Sequence, residues 1–251
     1  MIEVAKAASI NIMSYYNKGF NVEIKSDNSP VTEADKTTDE LIRKALSKEF
    51  PNYSFLTEES QDNKERLTND YVFIIDPVDG TEDFVHKYNE FTCNIALVHK
   101  HKVVAGVVAV PAYNLIYWAV YGEGAYKLDM NSGLISKIHV NDKTNKLTVL
   151  SSRFHPSKLE EEVLEKHKDI ITTKKVAGSS LKALYIAEGS AELSYRLNRG
   201  TKEWDTAAFQ IIVEEAGGLV LDLDKKPMVY NREDVYNGTY IILNKIENWY
   251  L

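Results

Sequence analysis

The sequence predicts an α/β or α+β protein in which sheets are layered between helices. Two amphipathic helical segments come first, a β-rich stretch follows, and strands then alternate with helices through the second half of the chain. A helix and a sheet each carry an apolar face that another element must cover, so this order favours stacked layers. Hydrophobic residues make up 44% of the 251 residues, which allows a substantial core.

The first half of the chain begins with helices and continues with strands. Apolar residues recur every three or four positions over residues 2–18 and 33–48, which predicts two amphipathic helices. Apolar runs between turn-forming residues predict strands. These strands cover residues 53–57, 71–75, 92–98, 103–110, 115–120 and 124–128.

The second half alternates between the two kinds of element. Its predicted strands cover residues 148–151, 172–176, 192–195, 218–221 and 239–243, and its predicted helices cover residues 156–168, 180–187 and 203–216. The turn-forming segment 129–133 separates this half from the β-rich half. We therefore expect one domain over residues 1–251, with subdomains of about 1–135 and 136–251.

Charge and composition exclude several kinds of partner. With 37 acidic and 30 basic residues, the net charge is -7, which argues against nucleic acid and anionic membranes as general partners. No stretch approaches the ~20 apolar residues of a transmembrane helix, and the first residues lack the basic region of a secretory signal. The single cysteine, Cys93, fits a reducing compartment. We expect a cytoplasmic protein.

Two carboxylates follow directly on the apolar strand 71–75. They are Asp76 and Asp79 of Asp-Pro-Val-Asp-Gly-Thr. Proteins of the α/β class place ligands at the carboxyl ends of buried strands, and two acids three positions apart could serve divalent cations. The same residue types also form ordinary turns. From these residues alone, a metal site and a plain turn both remain open.

Other polar positions have both a structural and a chemical interpretation. Glu58 and Glu59 end the preceding strand and either face the same cleft or lie in a solvated turn. Asp35 completes a capping box at a helix start, and a carboxylate there could also act as a base through a hydroxyl. Asp205 and the segment 178–182 lie at helix starts too, where capping and the binding of a metal or an anion are alternatives.

The order of these motifs is more specific than any one of them. The chain contains, in sequence, Ser-Pro-Val-Thr-x-x-Asp, x-Glu-Glu-Ser, Asp-Pro-x-Asp-Gly-Thr-x-x-Phe, Gly-Ser-Ser-x-Lys and Trp-Asp-x-Ala-Ala. This series resembles the inositol monophosphatase superfamily, from the first helix to Gly218. The resemblance implies the layered α-β-α-β-α sandwich of the inositol monophosphatases and fructose bisphosphatases, and a magnesium-dependent phosphomonoesterase.

The resemblance also implies a role for individual residues. The implied metal ligands are Glu58, Asp76, the backbone carbonyl of Val78, Asp79 and Asp205. The implied catalytic pair is Asp35 and Thr81, whose hydroxyl would activate the attacking water. In the family's mechanism two or three Mg²⁺ ions occupy the acidic site, where one lowers the pKa of the nucleophilic water and another stabilises the leaving oxygen.

The substrate side resembles one branch of the superfamily in particular, the bacterial 3'(2'),5'-bisphosphate nucleotidases (CysQ type). The implied substrate-binding residues are Gly80, Thr81, Gly178, Ser179, Ser180, Lys182 and Arg196. Inositol enzymes more often lack the lysine at position 182, and they place a glutamate where this chain has Asn198. Nearby cations suit a second phosphate. We therefore expect hydrolysis of adenosine 3',5'-bisphosphate to AMP and phosphate, a reaction associated with sulfur assimilation.

Two alternative functions remain open at this point. One is an inositol monophosphatase or a sugar phosphatase acting on fructose 1,6-bisphosphate. The other is a non-catalytic sensor of a nucleotide or a metal on the same fold, although such a protein would usually have lost a ligand or the pair Asp35 and Thr81. The resemblance further implies inhibition by lithium, a small-molecule phosphate ester as substrate, and a monomer or homodimer.

Overall fold

A computed structural model describes residues 1–25, 30–155 and 157–251. The helices are α1 (Ile2–Lys18), α2 (Glu33–Glu49), α3 (Thr81–Val85), α4 (Lys158–Lys166), α5 (Leu181–Ala187) and α6 (Glu203–Glu215). The strands are β1 (Val22–Ile24), β2 (Pro30–Thr32), β3 (Ser54–Thr57), β4 (Tyr71–Asp79), β5 (Thr92–His99), β6 (Lys102–Val110), β7 (Leu115–Val120), β8 (Gly124–Asp129), β9 (Ile135–Ile138), β10 (Leu147–Ser151), β11 (Ile171–Val176), β12 (Leu193–Arg196), β13 (Leu219–Asp222) and β14 (Tyr240–Leu243).

The strands form two large sheets and a small one. The seven-stranded sheet has the order β3-β4-β5-β6-β7-β8-β9. Its first pair is parallel and the remaining pairs are antiparallel. The five-stranded sheet has the order β11-β10-β12-β14-β13, with parallel pairs among β11, β10 and β12. Strands β1 and β2 pair antiparallel by themselves.

The seven-stranded sheet is covered by helices on both faces. Along β4, Phe73 and Ile75 belong to a core cluster with residues of α1 and α2, whereas Val72 and Ile74 belong to a second cluster with α5 and α6. Because successive side chains of a strand point to opposite faces, one apolar strand contributes to both cores. A continuous apolar run is typical of such a doubly covered strand.

The five-stranded sheet is also covered on both faces. Tyr240 and Ile242 of β14 join the core around α5 and α6, while Ile241 and Leu243 join a third core that includes Val163 of α4. The layers therefore run α1/α2, seven-stranded sheet, α5/α6, five-stranded sheet, α4. The predicted α/β class with five α-β-α-β-α layers is confirmed.

Most predicted helices and strands are present, and the differences have local causes. Strands β1, β2 and β9 were not predicted. Most residues of β1 and β9 are exposed and give no apolar alternation, and β2 has only three residues. The sheet therefore continues through β9 past the 129–133 turn, and the subdivision near residue 135 stays a prediction. Two predicted features, Ser29 in the first motif and a helix start at Pro156, lie outside the described residues. Across the described ranges, every helix is too short or too polar to cross a membrane.

Helix α6 packs so closely on the larger sheet that a methyl group has no room at Gly106 of β6. A Cβ atom there would lie 2.4 Å from the carbonyl oxygen of Ala208 and 2.7 Å from Cγ2 of Ile211. We expect Gly106→Ala to lower the free energy of unfolding by about 1–3 kcal/mol, as overpacking does. The control is Gly238→Ala, where no atom lies within 4 Å of the added Cβ. Urea unfolding of both variants checks this, and equal stability would contradict the tight packing.

Candidate active site

Asp76 and Asp79 lie at the carboxyl end of β4, as the sequence predicts. The register of the β4–β5 ladder shifts between these two residues. Asp76 Oδ1 accepts a hydrogen bond from the backbone N–H of Val78 at 3.1 Å, the local contact that an Asp side chain makes in a turn. The irregular backbone thus ends the strand with two carboxylates close together.

Asp79 is held by three side-chain donors. Its Oδ2 atom accepts hydrogen bonds from Thr92 Oγ1 at 3.1 Å, Asn94 Nδ2 at 3.2 Å and Ser180 Oγ at 2.9 Å. Thr92 and Asn94 belong to β5 of the larger sheet, whereas Ser180 directly precedes α5. These contacts fix the carboxylate between the larger sheet and the central helix layer.

A third carboxylate, Asp205, comes from the first turn of α6. Its Oδ2 atom accepts a hydrogen bond from the backbone N–H of Lys202 at 2.6 Å, which satisfies a free donor at the helix start. One oxygen each of Asp76, Asp79 and Asp205 lie within 4.8 Å of one another. Residues far apart in the chain therefore form one cluster of carboxylates.

Burial raises the pKa of all three carboxyl groups. The pKa of Asp76 lies well above its ordinary value because the group is buried, and the charges of Glu58 and Asp79 raise it further. The pKa of Asp205 is raised to about 8 by burial and then by Asp79 and Glu58. Burial also raises the pKa of Asp79, while Lys182 opposes the shift. Ionised carboxylates at this spacing repel one another unless a cation lies among them.

The donor set of this cluster fits a hard divalent cation. Mg²⁺ prefers oxygen ligands and usually binds one or two carboxylates together with water and phosphate. In Asp76, Asp79 and Asp205, one oxygen accepts the protein hydrogen bonds described above, so the second oxygen of each is the one to offer a cation. Hydrogen bonds of this kind orient metal-binding carboxylates. The cluster could therefore bind metal.

Glu58 lines the same cavity but is paired with a lysine. Lys25 Nζ lies 3.0 Å from Glu58 Oε1 and 2.5 Å from Glu59 Oε1. Burial raises the pKa of Glu59 to about 7, although Lys25 opposes the shift. Glu58 is not among the three acids within 4.8 Å, yet its charge contributes to the raised pKa values of Asp76 and Asp205. Its role as a metal ligand stays a prediction.

Asp35 and Thr81, the predicted catalytic pair, are in contact. Thr81 Oγ1 lies 3.2 Å from Asp35 Oδ1 and 3.1 Å from the carbonyl oxygen of Val78. The other oxygen of Asp35 accepts bonds from the backbone N–H and the hydroxyl of Thr32, which confirms the predicted capping box. Burial raises the pKa of Asp35. The carboxylate is thus fixed by α2 and can accept the proton of the Thr81 hydroxyl.

Glu58, the three clustered carboxylates and Thr81 line a cavity of about 470 Å³, whereas Asp35 is not part of its lining. Its lining includes most of the predicted site: Glu58, Asp76, Val78, Asp79, Gly80, Thr81, Gly178, Ser179, Lys182, Arg196 and Asp205. Gly80 has φ 86°, a left-handed conformation that suits glycine, directly before α3. Ser180 does not line the cavity, because it is buried and its hydroxyl donates a hydrogen bond to Asp79. Its predicted contact with the substrate stays a prediction.

Four lysine and arginine residues of the described ranges line this cavity: Lys182, Arg196, Arg199 and Lys202. Lys182 Nζ donates to the carbonyl oxygens of Ser179 at 2.7 Å and Ala177 at 3.3 Å, and burial lowers its pKa. Arg196 Nε and Asn198 Oδ1 are buried atoms without a hydrogen-bond partner in the described ranges. Buried polar atoms are usually paired, so unpaired ones facing a cavity indicate room for a polar ligand.

Some residues of the site were not identified from the sequence. Thr92 and Asn94 orient Asp79, and their signal was a pair of polar residues two apart in an apolar strand. Phe154, His155 and Tyr236 line the cavity from loops. Loop residues without a motif give no periodic signal, so only the folded chain brings them to the site.

The sequence was compared with models of known protein families. The chain matches the model of the inositol monophosphatase family over residues 1–248. It therefore belongs to the inositol monophosphatase family, whose members are metal-dependent.

Named relatives and solved structures show which members of the family this chain resembles. The chain is 32% identical over 246 residues to the 3'(2'),5'-bisphosphate nucleotidase CysQ of Aggregatibacter actinomycetemcomitans, covering 96% of this chain and 90% of the relative. It is 37% identical to the enzyme of that name from Escherichia coli K12, covering 94% of each chain. The crystal structure of CysQ from Bacteroides thetaiotaomicron superposes with a TM-score of 0.84 at 32% identity, over 97% and 96% of the two chains. The predicted superfamily and branch are confirmed.

Proposed function

We propose that this protein is a magnesium-dependent 3'(2'),5'-bisphosphate nucleotidase that hydrolyses adenosine 3',5'-bisphosphate to AMP and phosphate. One observation carries the proposal. The carboxylates Asp76, Asp79 and Asp205 open into the same cavity as the cations Lys182 and Arg196. A metal-binding end and a cationic end in one cavity suit an ester that carries a second phosphate. The relatives named CysQ support the same substrate.

The carboxylate end of the cavity would hold the metal. The proposed ligands are Glu58, Asp76, the carbonyl of Val78, Asp79 and Asp205. When bound, Mg²⁺ lowers the pKa of water and neutralises the charge that develops on the leaving oxygen. The chain's own contribution is to fix these oxygens through β4, β5 and α6 before any ligand arrives. Preorganised polar groups of this kind need no rearrangement during the reaction.

The pair Asp35 and Thr81 would take the proton from the attacking water. The Thr81 hydroxyl donates its hydrogen to Asp35 or to the carbonyl of Val78, so its oxygen is free to accept a hydrogen bond from water. Asp35 is buried and held by two bonds from Thr32. A carboxylate fixed in this way holds its free oxygen in one position beside the hydroxyl, as a general base requires. Gly80 and Thr81, at the start of α3, would contact the phosphate.

A phosphate-release assay tests the proposal. The purified protein is supplied with Mg²⁺ and with adenosine 3',5'-bisphosphate, inositol 1-phosphate or fructose 1,6-bisphosphate, with and without lithium. We expect the bisphosphate nucleotide to have the highest kcat/KM, and lithium to inhibit its hydrolysis. Faster release from inositol 1-phosphate or fructose 1,6-bisphosphate would favour the alternative phosphatases. Nucleotide binding without turnover under every divalent metal would favour a non-catalytic sensor.

Replacement of Lys182 tests the cationic end separately. Lys182→Met keeps the length of a buried side chain and removes its charge. Loss of one charge-assisted contact should lower kcat/KM for the bisphosphate nucleotide by about tenfold to a hundredfold. Inositol 1-phosphate has no second phosphate, so its kcat/KM should change by less than about threefold. The control is Lys168→Met, which removes an exposed lysine paired with Glu165. Equal losses for both substrates would contradict this role of Lys182.

The remaining expectations are proposals of the same kind. We propose a cytoplasmic location, which the single buried Cys93 supports because the chain itself forms no disulfide. The division into subdomains of about 1–135 and 136–251 is supported by the placement of the two large sheets on either side of α5 and α6. A monomer and a homodimer both agree with the function, and sedimentation would distinguish them.

A further inference from the structure

We propose that Arg153 is a positioning residue that neutralises Asp83 and Glu90 and so leaves the charge of Lys182 available to an anionic substrate. The proposal rests on the proposed function, since it concerns the recognition of a phosphate ester. Arg153 was not among the predicted site residues. It does not line the cavity, but it forms an ion pair with Asp83, which does.

Arg153 bridges the carboxylates of Asp83, in α3, and Glu90, in the segment between α3 and β5. One guanidinium nitrogen donates to Asp83 Oδ1, and the other lies 2.7 Å from Glu90 Oε2. The guanidinium carbon lies 4.6 Å from the centre of the Tyr88 ring, which adds a cation–π contact. The planar fork of arginine suits two carboxylates at once, whereas the ammonium of lysine is a single point charge.

Both carboxylates contact the segment that leads to Lys182. Glu90 Oε2 accepts a hydrogen bond from the backbone N–H of Gly178 at 3.0 Å. The backbone carbonyl of Glu90 accepts another from the Ser179 hydroxyl at 2.8 Å. A Cβ atom on Gly178 would lie 2.6 Å from Asp83 Oδ2, so the backbone there touches the Asp83 carboxylate. Asp83 also lines the cavity. Two negative groups thus stand beside the place where an anionic ester is proposed to bind.

The charge of Lys182 is sensitive to these groups. Within the described ranges Lys182 forms no ion pair with a carboxylate, and its Nζ contacts two carbonyl oxygens instead. Burial lowers the pKa of Lys182, whereas the charges of Asp79, Asp83 and Glu90 raise it, so all three act on its charge. Burial raises the pKa of Asp83 to about 6, while the Arg153 guanidinium opposes the shift and so favours the ionised carboxylate. Without Arg153, Glu90 beside Gly178 would be an unpaired carboxylate that competes with the substrate for Lys182.

The test compares two nucleotides that differ by one phosphate, adenosine 3',5'-bisphosphate and adenosine 3'-monophosphate. We expect Arg153→Met to raise KM about tenfold for the bisphosphate and at most about threefold for the monophosphate, with kcat within about threefold for both. The double variant R153M/E90Q removes one charge of each sign and keeps an acceptor for Gly178. It should return KM of the bisphosphate to within about threefold of the wild-type value.

Two further variants separate this role from a general one. Arg153→Lys restores one charge without the fork and should give an intermediate KM. Lys168→Met removes the same charge at an exposed ion pair and should leave both KM values unchanged. If Arg153→Met does not fold, Arg153→Lys alone decides, since an unchanged KM for the bisphosphate in that variant would overturn the proposal.

The outcomes also distinguish this proposal from the proposed function. An unchanged KM in folded R153M, or a loss in kcat alone, would overturn the role of Arg153. Failure of the wild-type protein to hydrolyse either nucleotide would instead overturn the proposed function. Binding of inorganic phosphate by calorimetry then tests Arg153 without turnover: weaker binding by R153M, restored in R153M/E90Q, supports the positioning role, and equal binding contradicts it.

Discussion

Replacing Asp79 by asparagine is expected to lower kcat/KM for the phosphate ester by at least about a thousandfold, which corresponds to roughly 4 kcal/mol of transition-state stabilisation. Asp79 offers one carboxylate oxygen to the proposed metal site, and an amide is a neutral and weaker ligand for Mg²⁺. Phosphate release under saturating Mg²⁺ measures the loss. Activity within about tenfold of the wild-type value would contradict the assignment of Asp79 as a ligand.

The same substitution is expected to preserve the fold. The amide oxygen of the new side chain can accept the bonds that Asp79 Oδ2 now accepts from Thr92, Asn94 and Ser180. In the metal-free protein the substitution also removes one of several mutually repelling charges, so the melting temperature without metal should rise. The control is Asp224→Asn on the exposed surface, which should change neither activity nor melting temperature. A metal-free D79N that melts below the wild-type protein would show that the carboxylate is needed for the fold.

Removal of divalent metal is expected to make stability strongly dependent on pH. The pKa of Asp205 is about 8 in the folded chain, against an ordinary value of 3.8, and the pKa of Asp76 is also well above 3.8. Between these limits the folded state binds more protons than the unfolded state, so stability falls as pH rises. The metal-free protein should therefore lose stability from about pH 4 to about pH 8.

Added Mg²⁺ should reverse this loss. Melting temperatures measured in EDTA and in Mg²⁺ should differ by little at about pH 5, where protons neutralise the cluster, and by several degrees or more at about pH 8. The variant D79N should show a smaller pH dependence in EDTA, because one of the interacting carboxylates is missing. A melting temperature in EDTA that stays constant or rises over this pH range would contradict the raised pKa values.

The sequence predicts the elements whose burial is periodic. Helices α1, α2 and α6 and the central strands of both large sheets agree with their predicted ranges within a few residues, because one face or both faces of each are apolar. Strand β9 at the edge of the larger sheet has three exposed residues out of four, so only backbone pairing with β8 makes it a strand. Backbone pairing of this kind does not require particular residue types, so the composition of the segment does not predict it.

The site was predictable where motifs carry it and not where tertiary contacts do. Asp76 and Asp79 follow a strand, and Asp205 opens a helix, so local sequence indicates each position. The bond from Ser180 to Asp79 joins residues 101 positions apart, and Arg153 meets Asp83 across 70 positions. No local pattern encodes such a contact, because it depends on how whole layers are stacked.

Helix α6 lies between the two large sheets and carries Asp205, whereas Asp79 ends a strand of the larger sheet. The carboxylates can therefore meet only after the two halves of the chain have docked. A cation held among them would contribute little to the early steps of folding and would mainly oppose separation of the layers. Its expected effect is kinetic: a slower rate of unfolding, with a refolding rate that barely responds to the metal.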